Sequence, residues 1–434
     1  MLARFGKIRF LTVMKELSYW RDTFPFEVAT TQALPAHCDV AIIGAGLTGL
    51  STALHLARTG AAVILLEQEK IGWGASTRNA GMALTGLKLS PEQLVKRYGR
   101  ERARKFYRAS LDALNFVQSL LEQERLACDF HRSGDLCVAH RPSHYHGLIA
   151  SQKFLREEFE HHTELVSAAE LSRELGTKVY HGGLLDPLSA GLNPAKLVQG
   201  LARCAQEAGG HLLEATPVEE CRREPNGFAL QTPRGVLRAK EVVVATNGYT
   251  PAMLRNLRRR IIPVGSYIIV TEPLGRALAE ELLPANRMVY DTKNFLFYFR
   301  RTPDDRLLFG GRTSFSPMSD EEAAKILRAD MLSVFPQLAA TKIDYAWHGN
   351  VGFTFDQMPH LGAHEGLHYA MGYGGHGVVM SVLFGYWLAQ KLLGANTNDF
   401  PFFGLQLPAR FFYRKRPWFL PLAGAYYRVL DRWF

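Results

Sequence analysis

The sequence predicts an α/β protein: a discontinuous Rossmann-like dinucleotide-binding domain with an antiparallel-sheet substrate domain inserted in it. Three observations predict this. Residues 39–67 read as a complete βαβ unit around Gly44-Ala45-Gly46-Leu47-Thr48-Gly49. Alternating strand patterns gather elsewhere, at 262–271, 294–300 and 307–311. No repeat or low-complexity linker separates the two kinds of region, so they interleave rather than follow one another. The 434 residues allow two to three masses of roughly 100–200 residues each.

Asp39-Val40-Ala41-Ile42-Ile43 is a short apolar run ended by glycine, the pattern of a buried parallel strand. Leu50, Ala53, Leu54 and Ala57 then recur at helical spacing, with Gly60 where a C-cap belongs. Ala62-Val63-Ile64-Leu65-Leu66-Glu67 is a second buried strand ending in an acid. Helical patterning covers 91–124 and 143–160, with a strand at 135–140 between them. Asn193-Pro194 opens a helix that runs to Gly209-Gly210, Asn as N-cap and Pro in the first turn. Residues 211–244 are strand-rich, 319–335 helical, and 376–393 a long apolar helix. This divides the chain into a cofactor domain of 36–125, 190–260 and 340–395 and a substrate domain of 126–189 and 261–339. Residues 1–35 are an N-terminal extension and 396–434 an aromatic, basic tail.

Composition narrows the class. Hydrophobic residues are 47% and charged residues 21%, the balance of a globular enzyme rather than a disordered chain. The five cysteines, at 38, 128, 137, 204 and 221, are odd in number and form no CxxC. That argues against a disulfide framework or thiolate metal site and for a reducing compartment. We expect a cytoplasmic protein that holds no metal. The net charge of +10, spread over the whole chain, is a weak pointer to nucleic acid, and none is expected as partner. The most apolar stretch, 378–389, stops at Gln390-Lys391, short of the ~20 residues of a membrane span. The acid-free first fifteen residues lack the form of a signal peptide and read as an extension ahead of a start at Met14.

The glycine motif gains weight from its setting: it follows a strand, opens a helix, and precedes Glu67 by eighteen residues from Gly49. Gly44, Gly46 and Gly49 let backbone approach a pyrophosphate, Ala45, Leu47 and Thr48 bring amides at a helix N-terminus, and Glu67 suits a ribose hydroxyl. The motif alone does not choose between NAD and FAD.

Later segments choose by resemblance. Gly72-Trp73-Gly74-Ala75-Ser76-Thr77-Arg78-Asn79-Ala80-Gly81 is similar to the GxGAS-x-RN-x-G segment of FAD-dependent amine and amino-acid oxidases. Val242-Val243-Val244-Ala245-Thr246-Asn247-Gly248 resembles their strand and turn that return to the FAD. Asp356-Gln357-Met358-Pro359-His360-Leu361-Gly362 and Gly372-Tyr373-Gly374-Gly375-His376-Gly377 resemble their closing elements. From about Tyr19 onward the chain resembles the D-amino-acid oxidase/glycine oxidase superfamily, and within it the gamma-glutamylputrescine oxidoreductase branch. The stretch 335–350 and Ala425-Tyr426-Tyr427 carry the likeness to that branch. Thr77 and Ala80 depart from it, standing where it commonly has glycine.

The resemblance implies the D-amino-acid oxidase/glutathione-reductase-like FAD fold. Its FAD contacts fall on the glycine loop, Glu67, Gln68, Gly74, Ala75, Ser76, Arg78, Asn79, Ala80, Gly81, Val218, Ala245, Thr246, Asn247, Gly374, Gly375, His376, Gly377 and Val378. The helix that begins near His376 would present its positive end to the flavin. A small amine or amino acid, a gamma-glutamylated amine included, would lose hydride to the flavin and leave as an imine. Such chemistry asks for position rather than a nucleophile or metal. Arg312, after Gly310-Gly311, is the candidate partner for a substrate carboxylate. Tyr267 and His376 are the other candidates at the reacting centre, with Trp347, Asn350 and Met82 as pocket walls.

Two absences carry information. Relatives that attach FAD covalently use a Cys near the last flavin segment or a His near the first. Here every Cys precedes residue 222 and Ser76-Thr77-Arg78 holds no His, so noncovalent FAD is expected. Sarcosine oxidases place an oxygen-activating Lys on the strand matching 307–311, where this chain has none; the acceptor is oxygen or another electron carrier. Residues 402–434 hold eleven aromatics and six Arg or Lys against one Asp. Arg414-Lys415-Arg416 with Trp418, Phe419 and Trp433 suits a peripheral membrane contact, whereas Pro408, Pro417 and Pro421 break any long amphipathic helix. Two other functions share the fold: an FAD-dependent modifier of tRNA or another macromolecule, and a noncatalytic flavoprotein. Anaerobic bleaching of the flavin by a small amine separates the first reading from both.

Overall fold

The computed structural model describes residues 14–28, 30, 33–312, 318–414 and 417–433. The extension ahead of Met14, and Lys415 and Arg416 of the tail, lie outside the described residues. Two eight-stranded sheets dominate. The first runs His360–His364, Leu367–Met371, Gly235–Val244, His37–Ile43, Val63–Leu66, His211–Leu213, with Gly227–Thr232 and Glu220–Glu224 attached beside Gly235–Val244. Its central strands pair in parallel, Ile43 against Leu66 on one side and Val244 on the other. All four residues of Val63–Leu66 are buried, which is why the run reads as continuously apolar rather than alternating.

One helix layer explains the small residues of the first unit. Leu47–Ala57 crosses Gly377–Leu392 so closely that a Cβ on Gly385 would stand 2.5 Å from the Thr48 carbonyl oxygen. Ser51 Oγ donates to the Val382 carbonyl (2.7 Å) and Thr52 Oγ1 to that of Gly385 (3.1 Å). Hydroxyls so used stay satisfied inside an apolar helix pair.

The second sheet runs Ile343–Phe353, Ile262–Thr271, Leu307–Gly311, Phe297–Arg301, Met288–Asp291, Asp135–Val138, Gly182–Asp186, Glu164–Ser167. It is antiparallel except where Met288–Asp291 meets Asp135–Val138. Its outer face packs on Asp320–Val334, a helix opened by a capping box of Ser319 and Glu322.

The sequence pattern needs three corrections. Ile343–Phe353 pairs with Ile262–Thr271 over its whole length, so it belongs to the antiparallel sheet and not with 354–395. The helical run at 91–124 is two helices, Pro91–Tyr98 and Arg100–Gln123, broken at Gly99 with φ +77. The tail does form a helix, Leu420–Trp433; Pro421 falls in its first turn, where a missing amide costs nothing.

Arg300 stitches the halves together. It is 3% exposed and its Nη1 donates to the carbonyls of Gly81 (2.6 Å) and Leu192 (3.1 Å). Burial lowers its affinity for the proton, to a pKa of about 10. Trp347 adds a second tie, Nε1 donating to the Arg78 carbonyl at 2.9 Å.

Candidate cofactor and substrate site

A cleft opens at the carboxyl ends of the parallel strands, lined there by Gly44, Gly46, Leu47, Thr48, Glu67 and Gln68. Gly74, Ala75, Ser76, Asn79, Val218, Ala245, Thr246, Asn247, Asn350, Gly374, Gly375, Gly377 and Val378 complete most of its wall.

Local chemistry shapes the loop. Gly44 has φ +104, which side-chain-bearing residues rarely adopt. Glu67 accepts from the Ala45 amide at 2.8 Å and the Glu69 amide at 3.0 Å; burial nonetheless raises its pKa above the usual carboxylate value. Ser76 Oγ accepts from the Leu47 amide at 3.0 Å, capping the glycine-loop helix. Asn79 folds its own segment: Nδ2 donates to the Ala75 and Ser76 carbonyls and Oδ1 accepts from the Gly81 amide. Asn247 Oδ1 accepts from the Gly372 amide at 2.9 Å and so fixes the last glycine turn.

Several expected contacts lie off this wall. Ala45 is fully buried, and Gly49 is the close crossing of helix and strand, a Cβ there standing 2.0 Å from the Gly44 carbonyl oxygen. Ala80 and Gly81 turn their carbonyls to Arg300. Arg78 stacks on Trp73 at 4.5 Å and donates to the Trp73 and His348 carbonyls. Met82 and Trp347 are buried in the main core. His376 precedes the helix, its Nδ1 buried without a partner, and burial together with the charge of Lys88 pushes its pKa down to about 4.

Tyr267 is the clearest displacement. It pairs with Gly311 across the sheet, so it shares the face of Gly311, and Arg312, one residue on, faces the other way. Its hydroxyl meets the Met318 backbone, in the core beneath the helix 320–334. Tyr298 pairs with Gly310 instead and stands on the Arg312 side, its hydroxyl 2.9 Å from Ser266 Oγ. Arg312 itself lies 4.8 Å over the Phe353 ring. Trp73, Tyr249, Tyr373 and Ser381 also line the cleft, and none of them is among the expected contacts. Tyr249 accepts from the Asn350 amide, and Tyr373 shares a hydrogen bond of 2.7 Å with Thr48.

Comparison with known proteins decides the family. Residues 39–391 match the model of the FAD-dependent oxidoreductase family. The chain belongs to that family. Over 404 residues it is 33% identical to the probable oxidoreductase OrdL of Haemophilus influenzae, spanning 92% of this chain and 93% of that one. It is 32% identical to the gamma-glutamylputrescine oxidoreductase of Escherichia coli over 412 residues, 91% and 93% of the two chains. The crystal structure of glycine oxidase from Geobacillus kaustophilus shares the fold, with a TM-score of 0.73 at 22% identity over 84% of this chain and 96% of that one.

This FAD-dependent oxidoreductase thus has the fold and cofactor that the glycine motif and later segments imply. Its cleft suits the cofactor: glycine backbone lines both long sides, and Ser381 Oγ, on the cleft wall, is buried with no hydrogen-bond partner. Among the described residues no helix is long and apolar enough to cross a membrane.

Proposed function

We propose that this family member oxidises the CH–NH bond of a small amine or amino acid, a gamma-glutamylated amine included, with noncovalently held FAD. The observation that carries the reading is an unpaired cation beside the cofactor cleft. Arg312 makes no ion pair or hydrogen bond among the described residues, and it lies over Phe353 next to the Gly374 turn. A substrate carboxylate would satisfy it bidentately. The relatives support the amine, since one is named for gamma-glutamylputrescine and another for glycine.

Bound FAD supplies the acceptor for the hydride. The chain's own part is to hold cofactor and substrate. Gly44, Gly46, Thr48 and Glu67 would take the adenosine and pyrophosphate, and Gly374, Gly375, Gly377, Val378 and Ser381 the flavin end. The positive end of the helix Gly377–Leu392 would favour negative charge on the ring. The cofactor and substrate domains follow the two sheets, with oxygen or another carrier as electron acceptor. A panel of amines and amino acids, read by flavin absorbance with and without oxygen, tests this; bleaching by an amine under anaerobic conditions is expected. An unbleached flavin across the panel would leave the macromolecule-modifying and noncatalytic readings.

A second reading concerns the tail. On the helix Leu420–Trp433, Leu422, Tyr426 and Val429 are 68%, 62% and 53% exposed, at helical spacing and flanked by exposed Arg428 and Arg432. Such a face suits a peripheral contact with an anionic membrane surface. Sedimentation with anionic and neutral vesicles tests it, and equal binding to both or to neither would reject it.

A further inference from the structure

We propose that the C-terminal helix Leu420–Trp433 is the end wall of the substrate site, and that Tyr427 on it limits how long a substrate the site admits. The inference rests on the amine-oxidising reading above and deepens it by bounding the size of the amine. The helix lies beyond 39–391, the stretch that the family model matches. It is fastened at both ends. At its start, Leu420 is buried in a cluster with Ile262, Val264 and Tyr413, and Phe353, Phe355 and Phe419 pack against that cluster. Near its finish, Asp431 Oδ1 accepts from the Asn294 amide (2.7 Å) and Nδ2 (2.9 Å), and Oδ2 from the Phe295 amide (2.8 Å). Arg141 donates to the Asp431 carbonyl at 2.9 Å, a cation where the helix dipole favours one. Asp431 is the one acid in residues 402–434, and it serves as the anchor.

The two anchors straddle the substrate sheet. Ile262 and Phe353 pair at one end of the edge strands, and Asn294 and Phe295 lie between Met288–Asp291 and Phe297–Arg301. Leu307–Gly311, which leads into Arg312, runs between them. Five strands at roughly 4.8 Å spacing span about 19 Å, and 14 helical residues are about 21 Å long. The helix can therefore reach from one anchor to the other. Leu420, Gly424, Tyr427 and Asp431 share one helical face, and all four are less exposed than Leu422, Tyr426 and Val429 on the opposite face. Tyr427 thus faces the sheet, near enough to bear electrostatically on the Arg312 guanidinium. Arg312 lies 4.8 Å over the Phe353 ring, and a Cβ on Gly374, in the cleft wall, would stand 3.6 Å from Phe353 Cε1. From the flavin end outward the order is Gly374, Phe353, Arg312, Tyr427. An amine whose reacting carbon meets the flavin extends along this line, and its far end meets Tyr427.

The test uses the FAD-loaded enzyme and unbranched ω-amino carboxylates, from glycine to aminooctanoate, read anaerobically by perturbation and bleaching of the flavin band. Wild type should take the short members and reject the long ones. Tyr427→Ala should bind the first length that wild type rejects about tenfold or more tightly, whereas Tyr427→Phe should keep the wild-type limit. Asp431→Asn should move the limit outward as the helix comes free. Wild type nicked within the tail by trypsin needs no variant to fold and should show the same outward shift. One length profile shared by wild type, nicked wild type and Tyr427→Ala, a flat profile included, would overturn the wall. If the limit moves but no amine bleaches the flavin, the wall stands and the amine reading falls. If amines bleach the flavin with one limit throughout, the wall falls and the amine reading stands.

Discussion

The amide of Ala45 donates to Glu67 Oε2 at 2.8 Å, so the acid that ends the second strand also ties down the glycine loop that begins the first turn. One carboxylate thereby shapes the loop while lining the cleft, where the proposed reading would set it against the cofactor's adenosine end. Glu67→Ala should weaken FAD by about 1–3 kcal/mol, the worth of a lost charge-assisted hydrogen bond. Equilibrium titration of apoprotein with FAD measures it. An affinity equal to wild type would remove Glu67 from the cofactor site.

FAD should leave with the solvent when the protein is precipitated by acid. A yellow pellet after washing would show a covalent bond and contradict the noncovalent reading.

Asn79 satisfies three backbone groups of its own segment, so its removal exposes buried polar atoms rather than one surface contact. Asn79→Ala should lower stability by about 1–3 kcal/mol and weaken FAD as the turn loosens. Denaturant melts of apo and loaded protein measure both. A variant as stable as wild type would mean water replaces the side chain.

A buried acid pair of the second sheet sets a pH limit. Asp135 is 3% exposed and pairs across the sheet with Asp186; burial, and then the Asp186 charge, pushes its pKa up to about 8. The fold favours the protonated form, so this group's stabilising share is complete below the unfolded carboxylate pKa of about 4. It is lost as pH rises from there through about 8. Asp135→Asn should therefore flatten the fall of Tm with pH across that window. Parallel Tm profiles for the two proteins would contradict it.

What was legible in the sequence is what local pattern controls. The first βαβ unit, its glycines and Glu67 are contiguous and signal one another by spacing. Asn193 and Ser319 cap the helices they precede, because capping needs only the next few residues. Tyr267 and Arg312 show where pattern stops: which face each occupies follows from the pairing of Tyr267 with Gly311, and register is set by the partner strand. Ile343–Phe353 falls in the segment 340–395 expected of the cofactor domain, yet its pairing with Ile262–Thr271 is invisible to local pattern because that partner is distant in sequence.

The reaction itself is tested most directly by anaerobic reduction of the bound FAD with an amine or amino acid bearing hydrogen or deuterium on the carbon next to nitrogen. Only a neutral amine can release hydride readily, because a protonated nitrogen has no lone pair to stabilise the growing positive charge. Loss of the oxidised flavin band is expected, slower with deuterium, and faster as pH rises through the pKa of the bound amine; free amines lie at about 10. Reduction by alcohols or thiols with no amine responding, or no isotope effect on a step limited by chemistry, would contradict it.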